Sequence, residues 1–191
     1  GVSALTVLTL AVTIGAVTAV LLVARAVFLD PFPYPDHDEL AVLRRHVPLR
    51  ERTAPTFSAA ELRDLRRVEG VFQELVAGTG GSRNLTGEGP PERVWGVEIT
   101  ASMFPMLGVE PLLGRGFTTD EDRPGGRRVA VISHRLWQDR FGADPRILER
   151  SLEVDGARVP VVGVMPPRFH WWGADLWLPL QLEAAAGDRA F

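Results

Sequence analysis

The hydrophobic pattern along this chain is most uneven at its beginning. No charged residue occurs from Gly1 to Ala24, where Val, Leu, Ala, Ile and Gly predominate and the only polar side chains are hydroxyls. At about 1.5 Å rise per residue, about 24 helical residues span roughly 36 Å, enough to cross a hydrocarbon core of about 30 Å. The first charge is Arg25, and Asp30 opens a polar, proline-rich segment. This pattern predicts a transmembrane helix within residues 1–29.

Two other kinds of segment share this apolar composition. A cleaved signal peptide has basic residues first, a shorter apolar stretch and a small-x-small cleavage site. Ala24-Arg25-Ala26 offers such a site, although the apolar run is long and no basic residue precedes it. A buried helix of a soluble protein normally carries polar positions at helical spacing. The spanning helix is the favoured interpretation, and because the chain begins with Gly we expect it to be a fragment.

Strand and helix patterns alternate in short units after this segment. The capping box Ser58–Glu61 and the cap residue Ser133 each precede apolar residues at helical spacing, which predicts a helix at each place, the second over residues 134–141. Asp155-Gly156 separates two β-rich runs, which predicts a hairpin with positive φ at both turn residues. Such alternation predicts an α+β extramembrane part. Further predicted elements are strands at residues 40–43, 75–77, 129–132, 152–154 and 159–164, a helical turn at 104–107 ended by Gly108, and a turn-rich stretch at 78–89.

The remaining pattern predicts one further strand and one internal boundary. In residues 93–100, Trp95, Val97 and Ile99 fall on one face, which predicts a half-buried strand. Residues 118–126 form an acidic connection rich in Pro and Gly, which predicts an internal boundary. The expected organisation is a transmembrane helix at 1–29, a first part at 30–117 and a second α+β part at 118–191.

Composition excludes several function classes. The chain carries a net charge of −3, and a mildly acidic, mixed surface argues against a nucleic-acid partner. All its basic residues are Arg, so it lacks the Lys that a phosphate-binding loop or a Schiff-base enzyme needs. With no cysteine there is no disulfide, thiolate nucleophile or cysteine zinc site.

No catalytic or ligand-binding constellation emerges from the motifs, so we expect no enzyme activity and no catalytic, metal or cofactor site. Ser133 and His134 are adjacent at a helix start, where they point different ways and lack a nucleophile elbow. Residues 120–122 are all acidic but lack the spacing of a calcium loop, and residues 78–81 lack the Lys and helix of a phosphate loop. A solvated loop and a turn are the favoured interpretations. The four histidines lie apart in the sequence: His37, His46, His134 and His170.

The aromatic run Phe169-His170-Trp171-Trp172 is the strongest candidate for a contact surface. In an extended chain, adjacent tryptophans face opposite ways, which would leave one accessible to a partner, a sugar or a lipid headgroup. The alternative is that both tryptophans fold over the core beside Trp177.

Motifs in order along nearly the whole chain carry a family resemblance. The apolar helix is followed by Pro31-Phe32-Pro33-Tyr34-Pro35-Asp36, Asn84-Leu85-Thr86-Gly87, Pro91-Glu92-Arg93-Val94, Phe104, Gly108-Val109, Gly114-Arg115, Val131-Ile132-Ser133, Leu136-Trp137, Arg140-Phe141-Gly142, Asp144-Pro145 and Val161-Val162-Gly163-Val164-Met165-Pro166. Together they resemble MacB-like ABC transporter permeases with FtsX-like organisation, in the periplasmic core domain. None of these motifs is diagnostic alone.

The resemblance implies a permease subunit for efflux or lipoprotein handling, placed in the bacterial inner membrane with the part after residue 29 outside the cytoplasm. It implies a porter-like part at 30–117 and an incomplete second part at 118–191. The partners that it implies are a cytoplasmic ABC ATPase, the lipid bilayer, a second permease in a homodimer or heterodimer, and envelope proteins. The first helix would transmit ATP-driven motion to the outer domain. A membrane-tethered binding or adaptor module without transport is the alternative, and an anchored hydrolase lacks a credible nucleophile–base set.

We predict that the first helix is retained in the mature protein, because its apolar run is too long for a signal peptide and lacks a basic start. N-terminal sequencing of protein isolated from membranes should find the helix intact. A mature chain beginning at Val27 would show that Ala24-Arg25-Ala26 is cleaved and would replace the anchor with a signal peptide.

Overall fold

The chain forms two compact units, Gly1–Tyr34 and Pro35–Phe191. The computed structural model describes residues 2–24, 40–43, 57–68 and 70–181. The proline-rich exit at 31–36, together with His37 and His46, lies outside the described residues.

The first unit contains helix α1 (Val2–Ala24), which matches the predicted apolar segment. Its stretch Ser3–Leu21 has a mean hydropathy of 2.2 and is long and apolar enough to cross a membrane. The hydroxyls of Thr9 and Thr13 donate to the carbonyls of Leu5 and Thr9, at 2.6 and 2.8 Å, so they are satisfied within the helix. Polar threonines are therefore compatible with an apolar surrounding.

The second unit is a mixed α/β domain, which confirms the α+β prediction. Its elements in chain order are α2 (Ala59–Arg66), β1 (Gly78–Thr86), β2 (Glu92–Ile99), α3 (Met103–Met106), β3 (Leu113–Gly114), β4 (Ala130–Ile132), α4 (His134–Phe141), a 3₁₀ helix (Pro145–Glu149), β5 (Ser151–Val154), β6 (Ala157–Val164) and β7 (Leu176–Pro179).

The seven strands of the described part belong to one sheet, in the order β3-β6-β4-β7-β2-β1-β5, and β5 also pairs with β6. The pairings therefore close a circuit from β6 through β4, β7, β2, β1 and β5 back to β6. Two pairs are parallel, β2 with β7 and β4 with β6, and the others are antiparallel. Strands from both sides of residue 118 join this sheet; the division there stays a prediction.

Each face of the sheet has its own core. On β7, Trp177 faces one side, where its ring lies 6.2 Å from Phe104 and 5.2 Å from Phe169. Leu176 and Leu178 face the other side, because successive strand residues alternate. The aliphatic core that they join also contains Leu85, Val94, Ala130, Ile132, Leu136, Ile147, Leu152, Val154, Val159, Val161 and Val164.

The half-buried pattern predicted for residues 93–100 is wrong. Val94 on one face and Val97 and Ile99 on the other are all buried, whereas Trp95 is 44% exposed. The reason is that each face of the sheet has its own core: Val94 belongs to the aliphatic core, while Val97 pairs with Trp177 of the aromatic core.

Local capping and turn signals are confirmed. Ser58 accepts from the Glu61 N–H at 3.2 Å while the Glu61 carboxylate accepts from the Ser58 N–H at 2.8 Å. Ser133 accepts from the Leu136 N–H at 3.0 Å and begins α4. At the β5–β6 turn, Asp155 has φ 50° and Gly156 has φ 79°. These residues form the two-residue hairpin turn that the sequence predicts.

Three predictions about short segments are wrong. Residues 40–43 and 75–77 form no strand, and Val42 is 75% exposed. Residues 78–86 form β1 rather than turns. Gly80 occurs where a cross-strand side chain takes the space, since a Cβ there would lie 2.9 Å from the Trp95 ring. Glycine in a strand often marks such a close approach.

The acidic loop at residues 120–122 is held by the fold rather than solvated as predicted. Glu121 is buried and accepts from both Arg115 guanidinium nitrogens at 2.7 and 2.9 Å and from the Thr118 N–H at 2.8 Å. Asp122 accepts from the Ala101 N–H at 2.7 Å. The Arg115 hydrogen bond is the main cause that lowers the pKa of Glu121 below its ordinary 4.5. These contacts make the loop a structural brace.

We predict that Glu121→Gln destabilises the protein by about 1 kcal/mol at pH 7, because the buried Glu121 carboxylate loses the charge that it pairs with the half-exposed Arg115. Since the folded-state pKa is lowered, the contribution of Glu121 is fully present above 4.5 and is lost as pH falls through the folded-state pKa. Urea unfolding of the detergent-solubilised chain at several pH values would measure this difference.

Asp120→Asn is the matched control, because the Asp120–Arg123 pair is exposed and contributes little. An equal loss of stability in both variants, or a gap between wild type and Glu121→Gln that widens in acid, would contradict the role given to Glu121.

Candidate functional site

The outer edge of β1 presents backbone groups that have no pairing partner among the described residues. Asn84 donates its N–H to Asp155 Oδ1 at 2.9 Å and accepts from the Asp155 N–H at 2.9 Å, so the even-numbered residues of β1 face away from β2. Ala77, an odd-numbered position, accepts from the Thr100 N–H on the β2 side. Alternation along the strand then directs the N–H and C=O groups of Gly78, Gly80 and Ser82 outward.

No pairing partner for this edge occurs within the described residues. Strand β5 pairs with β1 only at Leu85 and Thr86, so residues 78–82 carry a strand on the β2 side alone. We call residues 78–82 the β1 edge. It contains no charged side chain and no proline. The edge can therefore donate and accept main-chain hydrogen bonds without a charged side chain to deter an incoming strand.

Two indole rings lie beside the β1 edge on one face of the sheet. A Cβ on Gly80 would lie 2.9 Å from Cζ2 of Trp95, so that ring covers Gly80. A Cβ on Gly78 would lie 3.7 Å from Cζ3 of Trp172. Because Gly78 and Gly80 share a face of β1, both rings lie on that face. Trp95 is 44% and Trp172 is 54% exposed, so both rings offer accessible aromatic surface.

Trp172 is accessible, as one sequence interpretation expects, but the geometry of Trp171 and Trp172 differs from both interpretations. Their rings stack with centroids 6.3 Å apart and planes 19° from parallel, rather than facing opposite ways. The chain turns here, because Trp172 has φ 52° and Gly173 has φ 62°. Trp171 is half-buried and Trp172 is exposed, so they do not both cover the core beside Trp177.

A second surface feature is a pocket of about 220 Å³ beside α4. Arg140 forms part of its wall with only 8% of its side chain exposed, and it donates to the carbonyls of Glu88 and Pro90 at 2.7 and 2.9 Å and to the Glu92 carboxylate at 3.1 Å. Asp175 also lines the pocket, and its carboxylate accepts from Arg135. The contacts of Arg140 join the β1–β2 turn to α4.

A neighbouring carboxylate is also occupied by protein contacts. Asp144 accepts from the Arg146 N–H at 3.0 Å and from Arg150 at 2.6 Å. The Arg146 hydrogen bond is the main cause that lowers the pKa of Asp144. A carboxylate that stays ionised in this way is suited to bracing the 3₁₀ helix rather than to proton transfer.

The structure does not bring together the residues that the sequence offered as candidates for a site. His134 packs edge-on against Trp137 at 5.4 Å, while His170 is exposed. The Ser133 hydroxyl donates to the Asp175 carboxylate at 3.0 Å and accepts from the Leu136 N–H, so its hydrogen bonds do not go to His134. Within the described ranges no group of three His, Asp or Glu side chains could hold a metal ion. The expected absence of catalytic, cofactor and metal sites stays a prediction.

Sequence reasoning missed the β1 edge because it treated the glycines as turn residues. A usable signal was present in the alternation of Gly78 and Gly80 ahead of a strand that carries Trp95, since an aromatic ring often covers a glycine across a strand pair. The sequence contains no such signal for Trp172, because Trp172 and Gly78 are close in space but far apart along the chain.

A family model for the MacB-like periplasmic core domain matches residues 3–190. The chain belongs to the MacB-like periplasmic core domain family. This match confirms the resemblance of the motifs, and it includes helix α1 together with the sheet domain. Among curated proteins, none matches the sequence.

Solved structures share the fold of this MacB-like domain. The periplasmic region of MacB from Actinobacillus actinomycetemcomitans has a TM-score of 0.58 at 15% identity over 76% of this chain. The extracellular domain of the noncanonic ABC-type transporter YknZ from Gram-positive bacteria has a TM-score of 0.53 at 18% identity over 65% of this chain. The chain spans 67% of the first and 63% of the second.

Membership makes the described domain a MacB-like periplasmic core domain, which is an extracytoplasmic one. Here the domain follows a helix that is long and apolar enough to cross a membrane.

We predict that Gly80→Ala displaces the Trp95 ring, because the new methyl group would lie 2.9 Å from Cζ2. The indole ¹H–¹⁵N resonance of Trp95, assigned with Trp95→Phe, should shift in this variant. Gly81→Ala is the matched control, since a Cβ there meets nothing within 4 Å. Equal shifts in both variants, or none in either, would show that Trp95 does not rest on Gly80.

Proposed function

We propose that this chain is the N-terminal portion of an ABC permease in the bacterial inner membrane, whose extracytoplasmic domain moves with ATP hydrolysis. The single observation that carries the proposal is the family match over residues 3–190, because it spans the apolar helix and the domain as one continuous unit. Helix α1 is the element through which motion at the cytoplasmic face would reach the domain outside.

The chemistry of the chain supports a mechanical rather than a catalytic role. It has no lysine, so it cannot supply the phosphate-binding loop of an ATPase, and the nucleotide site must lie on another polypeptide or domain. Charged groups that are largely buried in the described part each have a partner: Glu121 binds Arg115, Arg140 binds backbone carbonyls and Glu92, and Asp175 binds Arg135. Such contacts favour a domain that moves as a rigid body.

The substrate class follows from the same setting. A permease with an extracytoplasmic domain of this family acts on molecules outside or within the membrane, so we propose efflux or envelope-lipoprotein handling. We also propose that the chain dimerises with a second permease and that it contacts envelope proteins. The exposed Trp95 and Trp172 favour a contact role for this domain, because accessible indoles are enriched at protein interfaces.

We predict that the tagged protein, purified in mild detergent from its natural host, carries an ABC ATPase in fixed stoichiometry. ATP hydrolysis by this complex should rise with substrate. Replacement of Pro31, Pro33 and Pro35 by Gly should reduce that stimulation, because proline-rich linkers are in general semi-rigid whereas glycine-rich linkers are flexible. Mass spectrometry and phosphate release measure the two effects. Pro124→Gly, in an exposed loop, is the matched control.

The adaptor alternative gives a different outcome. It predicts a stable envelope partner with no ATPase in the purified complex, and in that case the permease proposal is wrong. If substrate stimulation of ATP hydrolysis fell equally in the Pro124→Gly control, the role proposed for the proline exit would be wrong.

A further inference from the structure

We propose that the β1 edge binds an extended segment of an extracytoplasmic partner protein as an added β-strand. The proposal rests on the proposed function only in placing the partner outside the cytoplasm. The segment would pair with residues 78–82 through its main chain and would contact Trp95 and Trp172 with its side chains.

Hydrogen-bond complementarity identifies an extended polypeptide as the occupant. Gly78, Gly80 and Ser82 each present an N–H and a C=O toward the same side, at the spacing of a strand, and no partner for them occurs in the described part of the chain. Only another strand offers donors and acceptors that alternate at this spacing. A sugar or a lipid headgroup would leave most of these groups unmatched.

The side chains beside the edge indicate the composition of the segment. On one face, the rings over Gly78 and Gly80 would meet alternate side chains of the added strand, and apolar or aromatic side chains suit these rings. The glycines themselves add no side chain that would hold the segment away. Because residues 77–82 carry no charge, the favoured segment is uncharged where it pairs.

The β1 edge lacks the usual protection of a sheet edge. Edge strands are commonly blocked by Lys, Pro, a bulge or an inward charge. The register of β1 with β2 runs without interruption from Gly78 to Leu85, so no bulge twists this edge away. Farther along the same strand, the Asp155 turn covers Asn84 and ends the accessible segment. The open part is thus short and defined at one end.

The test uses the full chain in lipid nanodiscs and capped synthetic peptides of about ten residues, a strand length, that tile the exported proteins of the source organism. For any peptide that binds, site-resolved amide exchange should slow at Gly78, Gly80 and Ser82, while the odd-numbered amides stay protected throughout. N-methylation of the peptide at one set of alternate residues should abolish binding, and N-methylation of the other set should be tolerated.

Variants of the chain separate the main-chain and side-chain contributions. Ser82→Pro removes an outward N–H but leaves the β2 ladder intact, and it should weaken peptide binding at least about tenfold. Ser82→Ala keeps that N–H and should bind normally. Trp172→Ala should also weaken binding about tenfold, with most of the affinity retained in Trp172→Phe.

Three outcomes would overturn the proposal. Slow exchange at Gly78, Gly80 and Ser82 in the free protein would show that the chain itself covers the edge. Protection that grows with protein concentration would identify a second copy as the occupant. Failure of every peptide to protect these amides would exclude strand addition by the exported proteins. The ATPase co-purification does not depend on this edge, so either proposal can fail without the other.

Discussion

The fold depends on the burial of β7 between two strands that are distant in sequence. All four residues of β7 are buried, and its register joins β2 on one side to β4 on the other. Loss of a buried Trp typically costs about 3–5 kcal/mol against a total stability of about 5–15 kcal/mol. Trp177 alone therefore supplies a large share of the stability, and the circuit of strands would open where residues 176–179 now lie.

Within the described residues, part of β1 and the two-residue strand β3 have a strand on one side only. Strands β2, β4 and β7 each have a strand on both sides, and β6 has β5, β4 and β3 along its length. Strand β1 has β2 along its whole length but β5 only at Leu85 and Thr86. Its glycines let Trp95 and Trp172 lie close to the backbone, so aromatic surface and free main-chain groups occur together.

Elements with local signals were predictable from sequence, and elements that depend on distant partners were not. The Ser133 cap and the Asp155-Gly156 turn act within a few residues, and each formed as expected. Strand β7 has only four residues, and its pairing with β2 joins segments about eighty residues apart in sequence, so no local pattern identified it. The turn propensity of glycine predicts turns at residues 78–86, whereas these residues form β1. Gly80 suits a strand here because the Trp95 ring of β2 covers it.

The location of the candidate surface has a consequence for coupling. The β1 edge adjoins β2, and β2 pairs with β7, so a strand added to β1 would extend the sheet whose cores hold the domain together. Within the described residues, the charged braces at Glu121 and Arg140 tie loops to this same sheet. A load applied at the edge would then be carried by the main-chain ladder and both cores rather than by a single loop. A partner bound in this way would move with the domain, as a transmission role requires.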